Sequence, residues 1–169
     1  MIHLITYQDI SLLARPCTTD EDMAMAMIAE AQRVELKPRL GDALYIQLMK
    51  ETPHERFGTL LNGGVWSDDC GDHLLTGLKT ALAYYALARI TRDGNIQETR
   101  YGSVVKDDQY SEDPEKAERQ RQYRELFSQA DSYMAEVLDY LAHNREIFPE
   151  YKVCAKMRSN RFTIRTIGK

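Results

Sequence analysis

The stretch from Thr76 to Asp93, "TGLKTALAYYALARITRD", does most to limit how this chain can fold. Leu78, Leu82, Tyr85 and Arg89 fall on one helical row. Ala81, Ala83, Tyr84, Ala86, Leu87, Ala88 and Ile90 fill most of the remaining circumference. A helix that is apolar nearly all round has to be buried nearly all round. It needs neighbours on every side, so the segment predicts the central helix of a helical domain. Its alanines let those neighbours approach closely. Tyr84 and Tyr85 each need a hydrogen-bond partner for the hydroxyl if the ring is buried.

The neighbours are legible on both sides. Thr6 with Asp9 at the third position predicts an N-cap and a short helix from Tyr7 to Leu13, ended by Pro16. A second helix opens behind Thr19, with Glu21 and Asp22 at the positive end of its dipole. Met23, Met27, Ala31 and Val34 share one face, widened by Ala24 and Ile28, and read as a core stripe. Pro38 predicts a break near Leu36. Gly41 allows an unusual dihedral angle or a close approach. A third helix, Asp42 to Lys50, comes next, with Leu40, Leu44 and Leu48 on one side and Tyr45 and Met49 beside them. A fourth, His54 to Leu61, carries Phe57, Leu60 and Leu61 and stops at Asn62-Gly63-Gly64. "VWSDDCGDHLL" predicts a small hairpin, Val65-Trp66 against His73-Leu74.

Beyond the central helix, the stretch from Asp93 to Asp113 reads as a long irregular loop. It exceeds the roughly 12–15 residues at which a structureless connection becomes unusual. Asp113-Pro114 then signals a helix start, and the last helix runs to about Asn144. Its first half, "PEKAERQRQYRE", is polar. Its second half places Tyr123, Phe127, Ala130, Met134, Val137 and Leu141 at spacings of three and four, so only that half is expected on the core. Pro149 marks the exit, and "RFTIRTIGK" alternates enough to predict a terminal strand from Phe162 to Ile167. The fold class is therefore mostly α: a single-domain helical bundle with a small hairpin, a long irregular loop and an extended tail. Residues 1–150 form the helical domain and residues 151–169 the tail. The 169 residues suit a single core.

A formal net charge of −4 argues against a broad nucleic-acid footprint, which needs a basic face. The tail is the exception. Lys152, Lys156, Arg158, Arg161, Arg165 and Lys169 meet no acidic residue, a composition that suits an acidic partner or a phosphate backbone. Cys17, Cys70 and Cys154 are far apart and odd in number, so they read as reduced thiols. The first ten residues lack a basic n-region and a long apolar run, so no signal peptide is expected. No segment has the roughly 18 consecutive apolar residues of a membrane span.

No catalytic constellation emerges. "SDDCGDH" is the densest group of candidate ligands: Asp68, Asp69, Cys70, Asp72 and His73. A calcium loop with Asp68 in first position would need glycine where His73 stands, and paired Cys/His zinc spacing is missing. A polar hairpin turn is the expectation. His3, His54, His73 and His143 are dispersed. "LLNGG" and "RDGN" make no phosphate loop, since no lysine and hydroxyl residue come after two glycines at the required spacing. Arg119, Arg121 and Arg124 alternate with Glu115, Glu118 and Glu125, which predicts a solvated or salt-bridged face rather than a basic strip. No metal site and no cofactor is expected.

"LKPRLGDALYIQLMK", "LLNGG", "GLKTALAYYALARI" and "TRYGSVVKDDQYSE" occur in an order and at spacings that resemble a family of proteins from phages and prophages of Bacteroides-type gut bacteria. The resemblance is strongest from about Glu30 to Glu112. In general plan the chain also resembles the adaptor proteins of tailed phages, small helical domains that form a ring beneath the portal and join head to tail. The resemblance implies a non-enzymatic head–tail connector subunit, with a copy of itself, the portal and tail components as partners. It places the chain in the virion neck, or in the bacterial cytoplasm before assembly, and not in a membrane. A closed heterologous ring needs two different patches per subunit. Tyr101, Val104, Val105 and Tyr110 in the long loop supply apolar anchors in polar surroundings, and Val104-Val105 suits strand pairing with a neighbour. Phe162, Ile164 and Arg165 in the tail offer the second patch, with incidental DNA contact through its basic residues. Two other readings stand beside this one: a small helical metal-binding or enzymatic module using "DDCGDH", and a DNA-binding accessory protein using the tail.

Overall fold

The computed structural model describes residues 2–50, 55–68, 70–93, 96–99, 102–105 and 116–152. The chain is mostly α, with a small antiparallel hairpin beside the helices. In chain order the elements are α1 (Tyr7–Leu13), α2 (Glu21–Ala31), a π-helical turn (Gln32–Leu36), α3 (Lys37–Leu40) and α4 (Asp42–Lys50). A 3₁₀ turn (Glu55–Phe57) and α5 (Gly58–Asn62) lead into the hairpin of β1 (Gly64–Asp68) and β2 (Gly71–Leu75). Then come α6 (Leu78–Asp93), a second hairpin of β3 (Ile96–Thr99) and β4 (Gly102–Val105), and α7 (Lys116–His143).

α6 is the centre of the core, as its sequence demands. Leu78, Ala81, Leu82, Ala83, Tyr85, Ala86 and Ala88 are fully buried, and α7, α2, α1 and α5 pack around it. Burying each such leucine is worth about 2 kcal/mol over leaving it exposed. The tyrosines find the partners they require. The Tyr85 hydroxyl donates to Asp131 on α7, and Tyr133 hydrogen-bonds Tyr84. Burial first, then that donation to a carboxylate, holds the Tyr85 phenol well above its ordinary range.

Charge is also carried inside. Arg89, on the apolar row of α6, is buried and reaches two carboxylates: Glu30 on α2, and Glu35 of the π turn at 2.9 Å. Arg39 joins the set, bonding Glu35 at 2.7 Å and Asp131 at 2.8 Å while lying over the Tyr85 ring. Several elements meet in this network, and buried charges persist only with such pairing.

Two expectations change at the second helix. Its N-cap is Asp20, whose carboxylate accepts from the Met23 amide, and not Thr19. The helix also does not break at Leu36. It widens into the π turn, the Lys37 amide bonds the Gln32 carbonyl, and helical geometry resumes through Pro38 to Leu40. The wide turn shifts the helix faces. Val34 rolls out to half exposure, while Gln32, Glu35 and Leu36 turn inward. Gln32 then ties down the N-terminal strand of chain, accepting from the Leu4 amide and donating to the Ile2 carbonyl.

Other boundaries agree with the sequence, except that the helix expected from His54 to Leu61 is a 3₁₀ turn (Glu55–Phe57) followed by α5 (Gly58–Asn62). α1 and α4 fall where expected, and Thr6 donates its amide and hydroxyl to Asp9. Only the second half of α7 is buried, through Leu126, Ala130, Met134, Val137, Tyr140 and Leu141. Tyr123 and Phe127 sit half-buried at its edge. Phe148 and Tyr151 close the core after the helix ends. His54, Asp113, Pro114 and the strand expected from Phe162 to Ile167 lie outside the described residues. No helix among the described residues is long and apolar enough to cross a membrane.

Candidate interface

The β1–β2 hairpin is fastened at its base by two glycines. Gly63 has φ 84° and ψ 178°, which side-chain-bearing residues avoid. A Cβ there would overlap the Leu75 carbonyl oxygen, and a Cβ at Gly77 would stand 2.6 Å from the Gly63 amide nitrogen. The chain entering the hairpin therefore lies directly on the chain leaving it. Beyond that point Thr76 donates its amide and hydroxyl to Glu136 of α7, at 3.0 and 2.7 Å.

The register pairs Val65 with Leu74, Trp66 with His73, Ser67 with Asp72 and Asp68 with Gly71. Alternation then divides the hairpin into two faces. The inner face carries Trp66, Asp68 and His73. Trp66 stacks on His73 with ring centroids 4.6 Å apart and meets Tyr140 and His143 of α7 at 5.6 and 5.3 Å. The Asp68 carboxylate accepts from the Cys70 and Gly71 amides at 2.7 and 3.1 Å, and its partner His73 Nε2 lies at 3.0 Å. His143 Nε2 is 3.7 Å from its second oxygen. The hydrogen bond to His73, followed by the one from Cys70, holds the Asp68 carboxyl below the usual carboxylate range.

This arrangement separates Asp72 and Cys70 of "SDDCGDH" from Asp68 and His73, and Asp69 lies outside the described residues. Asp72 faces outward, bonded to the Ser67 hydroxyl at 2.6 Å, and Cys70 is exposed at the turn. Among the described residues, no three His, Cys, Asp or Glu side chains converge in a way that would hold a metal ion. What the inner face does is fix the hairpin to α7.

The outer face does the opposite. Val65 and Leu74, cross-strand partners, are 68% and 73% exposed. An apolar pair held out on a rigid hairpin is a candidate contact surface. The sequence held the signal for it, since Val65 and Leu74 alternate with the core-facing Trp66 and His73, but it took the structure to show which face lacks cover.

The residues singled out from the sequence fare differently. Val104 and Val105 lie in β4, where they pair with Gln97 and Ile96 of the chain's own β3. The stretch expected to be irregular thus contains a second hairpin. Val104-Val105 has one side committed within the chain rather than open to a neighbour. Tyr101, Tyr110, Phe162, Ile164 and Arg165 lie outside the described residues. The polar half of α7 behaves as its mixed charge suggests. Glu118 pairs with Arg121 at 2.7 Å on the same helix, and Glu125 reaches Arg15 at 3.0 Å.

Fold and surface together define a small helical protein with a pinned hairpin that presents an apolar pair outward. Residues 36–161 match DUF6712, a family of unknown function, and the chain belongs to that family. No curated protein and no solved structure matches it.

Proposed function

We propose that this chain is a non-enzymatic structural protein of phage or prophage origin, a head–tail connector subunit that acts in a ring between portal and tail. Its work is shape and interface complementarity. The observation that carries the reading is the outward pair Val65–Leu74 on a hairpin whose other face is locked to α7. A ring subunit needs rigid, exposed apolar patches for its neighbours, and this pair is placed to serve as one. The polar first half of α7, which the core does not cover, gives the subunit a second surface for neighbours. The sequence resemblance to phage and prophage proteins supplies the setting, and the portal and tail components are the partners it implies.

The test is incorporation. Val65→Asp with Leu74→Asp should leave the helical circular dichroism spectrum unchanged, since both side chains already face water. Particles assembled with this variant should lack the protein or fail to join head to tail. Normal incorporation of the double variant would remove the hairpin from the account.

A further inference from the structure

We propose that the outward face of the β1–β2 hairpin seats the C-terminal tail of a second copy of this chain, residues 160–167, added as a third strand beside β1. The inference rests on the ring reading above and names the contact that links one subunit to the next.

The acceptor is visible. Among the described residues β1 pairs with β2 alone, so its other side offers backbone donors and acceptors to an incoming strand. Val65 and Leu74 supply the apolar part of the face, and Asp72 adds a negative charge to it. Asp68, on the opposite face, adds another.

The donor is written in the sequence. After Glu150 the chain has no acidic residue and carries Lys152, Lys156, Arg158, Arg161, Arg165 and Lys169. In extended form "RFTIRTI" puts Phe162 and Ile164 on one face and Arg161, Thr163 and Arg165 on the other. Laid beside β1 with Phe162 and Ile164 outward, the tail extends the Val65–Leu74 patch. Arg161 and Arg165 then fall on the face that holds Asp68. Apolar residues meet apolar residues, and a segment whose only charges are basic meets a hairpin that carries Asp68 and Asp72.

Symmetry chooses the second copy, and reach permits it. The described chain ends at Lys152, and the ten residues from there to Phe162 span up to about 35 Å when extended. That length is enough to reach a neighbouring subunit. A closed heterologous ring requires each subunit to give one patch and accept the other, and tail and hairpin are such a pair.

Disulfide trapping between two differently labelled chains tests this. Cys17, Cys70 and Cys154 are first changed to Ser, and far-UV circular dichroism with Trp66 fluorescence confirms that the background folds. Val65→Cys chains are then mixed with Phe162→Cys or Ile164→Cys chains and oxidised, since a disulfide forms only when the Cα atoms come within about 7 Å. The expected result is a reducible dimer from the mixed chains, well above a control in which exposed Leu12→Cys replaces Val65→Cys. If the protein assembles but mixed chains give no dimer above the control, the tail contact is overturned and the ring stands. The contact is equally overturned if Val65→Cys/Phe162→Cys closes only within one chain. If the protein assembles under no condition, the ring reading itself fails, and the tail contact with it.

Discussion

Arg89 and Glu35 meet at 2.9 Å inside the bundle, with Arg89 only 6% and Glu35 only 8% exposed. One sits on the apolar row of α6 and the other on the inner side of the π turn. Their pairing explains why a guanidinium is tolerated at the centre of the core, and it is the widened turn that faces Glu35 inward to meet it.

Removing one member should therefore cost more than removing both. Glu35→Leu strands the Arg89 charge with Glu30 alone and deprives Arg39 of a partner, at about 3–5 kcal/mol. The double variant Glu35→Leu/Arg89→Met leaves the more exposed Glu30 without its cation and Arg39 with Asp131 alone, and should recover part of the loss. Urea denaturation of the two singles and the double gives the coupling directly. Strict additivity would mean that the pair carries no interaction.

Gly63 and Gly41 form a matched comparison. Both have φ near +80° and extended ψ, so alanine at either is strained by about 1–3 kcal/mol. Around Gly41 there is open space, whereas a Cβ at Gly63 would run into the backbone of Leu75 and Thr76. Gly63→Ala should lower the melting temperature clearly further than Gly41→Ala. It should also release the hairpin, read as a shift in the emission of Trp66. Equal effects of the two substitutions would show that the close backbone approach at the hairpin base is not a constraint.

Acid should loosen the hairpin from α7. Asp68 has its carboxyl lowered in the fold, mainly by the bond to His73. Such a group adds stability that is present above the unfolded carboxylate value, near pH 4, and is lost as pH falls through the lower folded value. Trp66, the only tryptophan, stacks on His73 and reports the event. Its fluorescence should change below about pH 4 before the helices unfold. Asp68→Asn should remove that early step, and an unchanged acid profile in the variant would refute the assignment.

The alkaline side belongs to Tyr85. Burial and its bond to Asp131 raise its phenol, so the neutral form is favoured in the fold. That contribution is whole below the unfolded value of about 10 and declines as pH rises beyond it. Tyr85→Phe should cost about 1 kcal/mol at neutral pH and should lose less stability than the parent between about pH 9 and 11. Thermal melts across that range measure it.

Much of this fold was written in local chemistry. The all-round apolar pattern of Leu78–Ile90, the Thr6–Asp9 cap and the stop at Gly63 each fix a backbone outcome without help from distant residues. The π turn was not legible, because proline at position 38 forbids one hydrogen bond but does not decide whether a helix ends or widens. In the widened turn Glu35 faces inward, and its partners are Arg89, far along the sequence, and Arg39, one turn on. Val34 was misplaced for the same reason. The β3–β4 hairpin was not legible because "IQET" and "GSVV" are short and only partly apolar, so neither shows a clear alternation. At the candidate interface, the alternation of Val65-Trp66 and His73-Leu74 was readable. Which face the core would take depended on Tyr140 and His143, some seventy residues on.

Assembly into a ring is the central claim. Light scattering of the purified protein across a range of concentrations, with electron micrographs of any large species, reads it most directly. A closed ring of fixed mass, reached as concentration rises and lost in the Val65→Asp/Leu74→Asp variant, is the predicted result. A monomer at every concentration, in the presence as well as the absence of a portal ring, would contradict it.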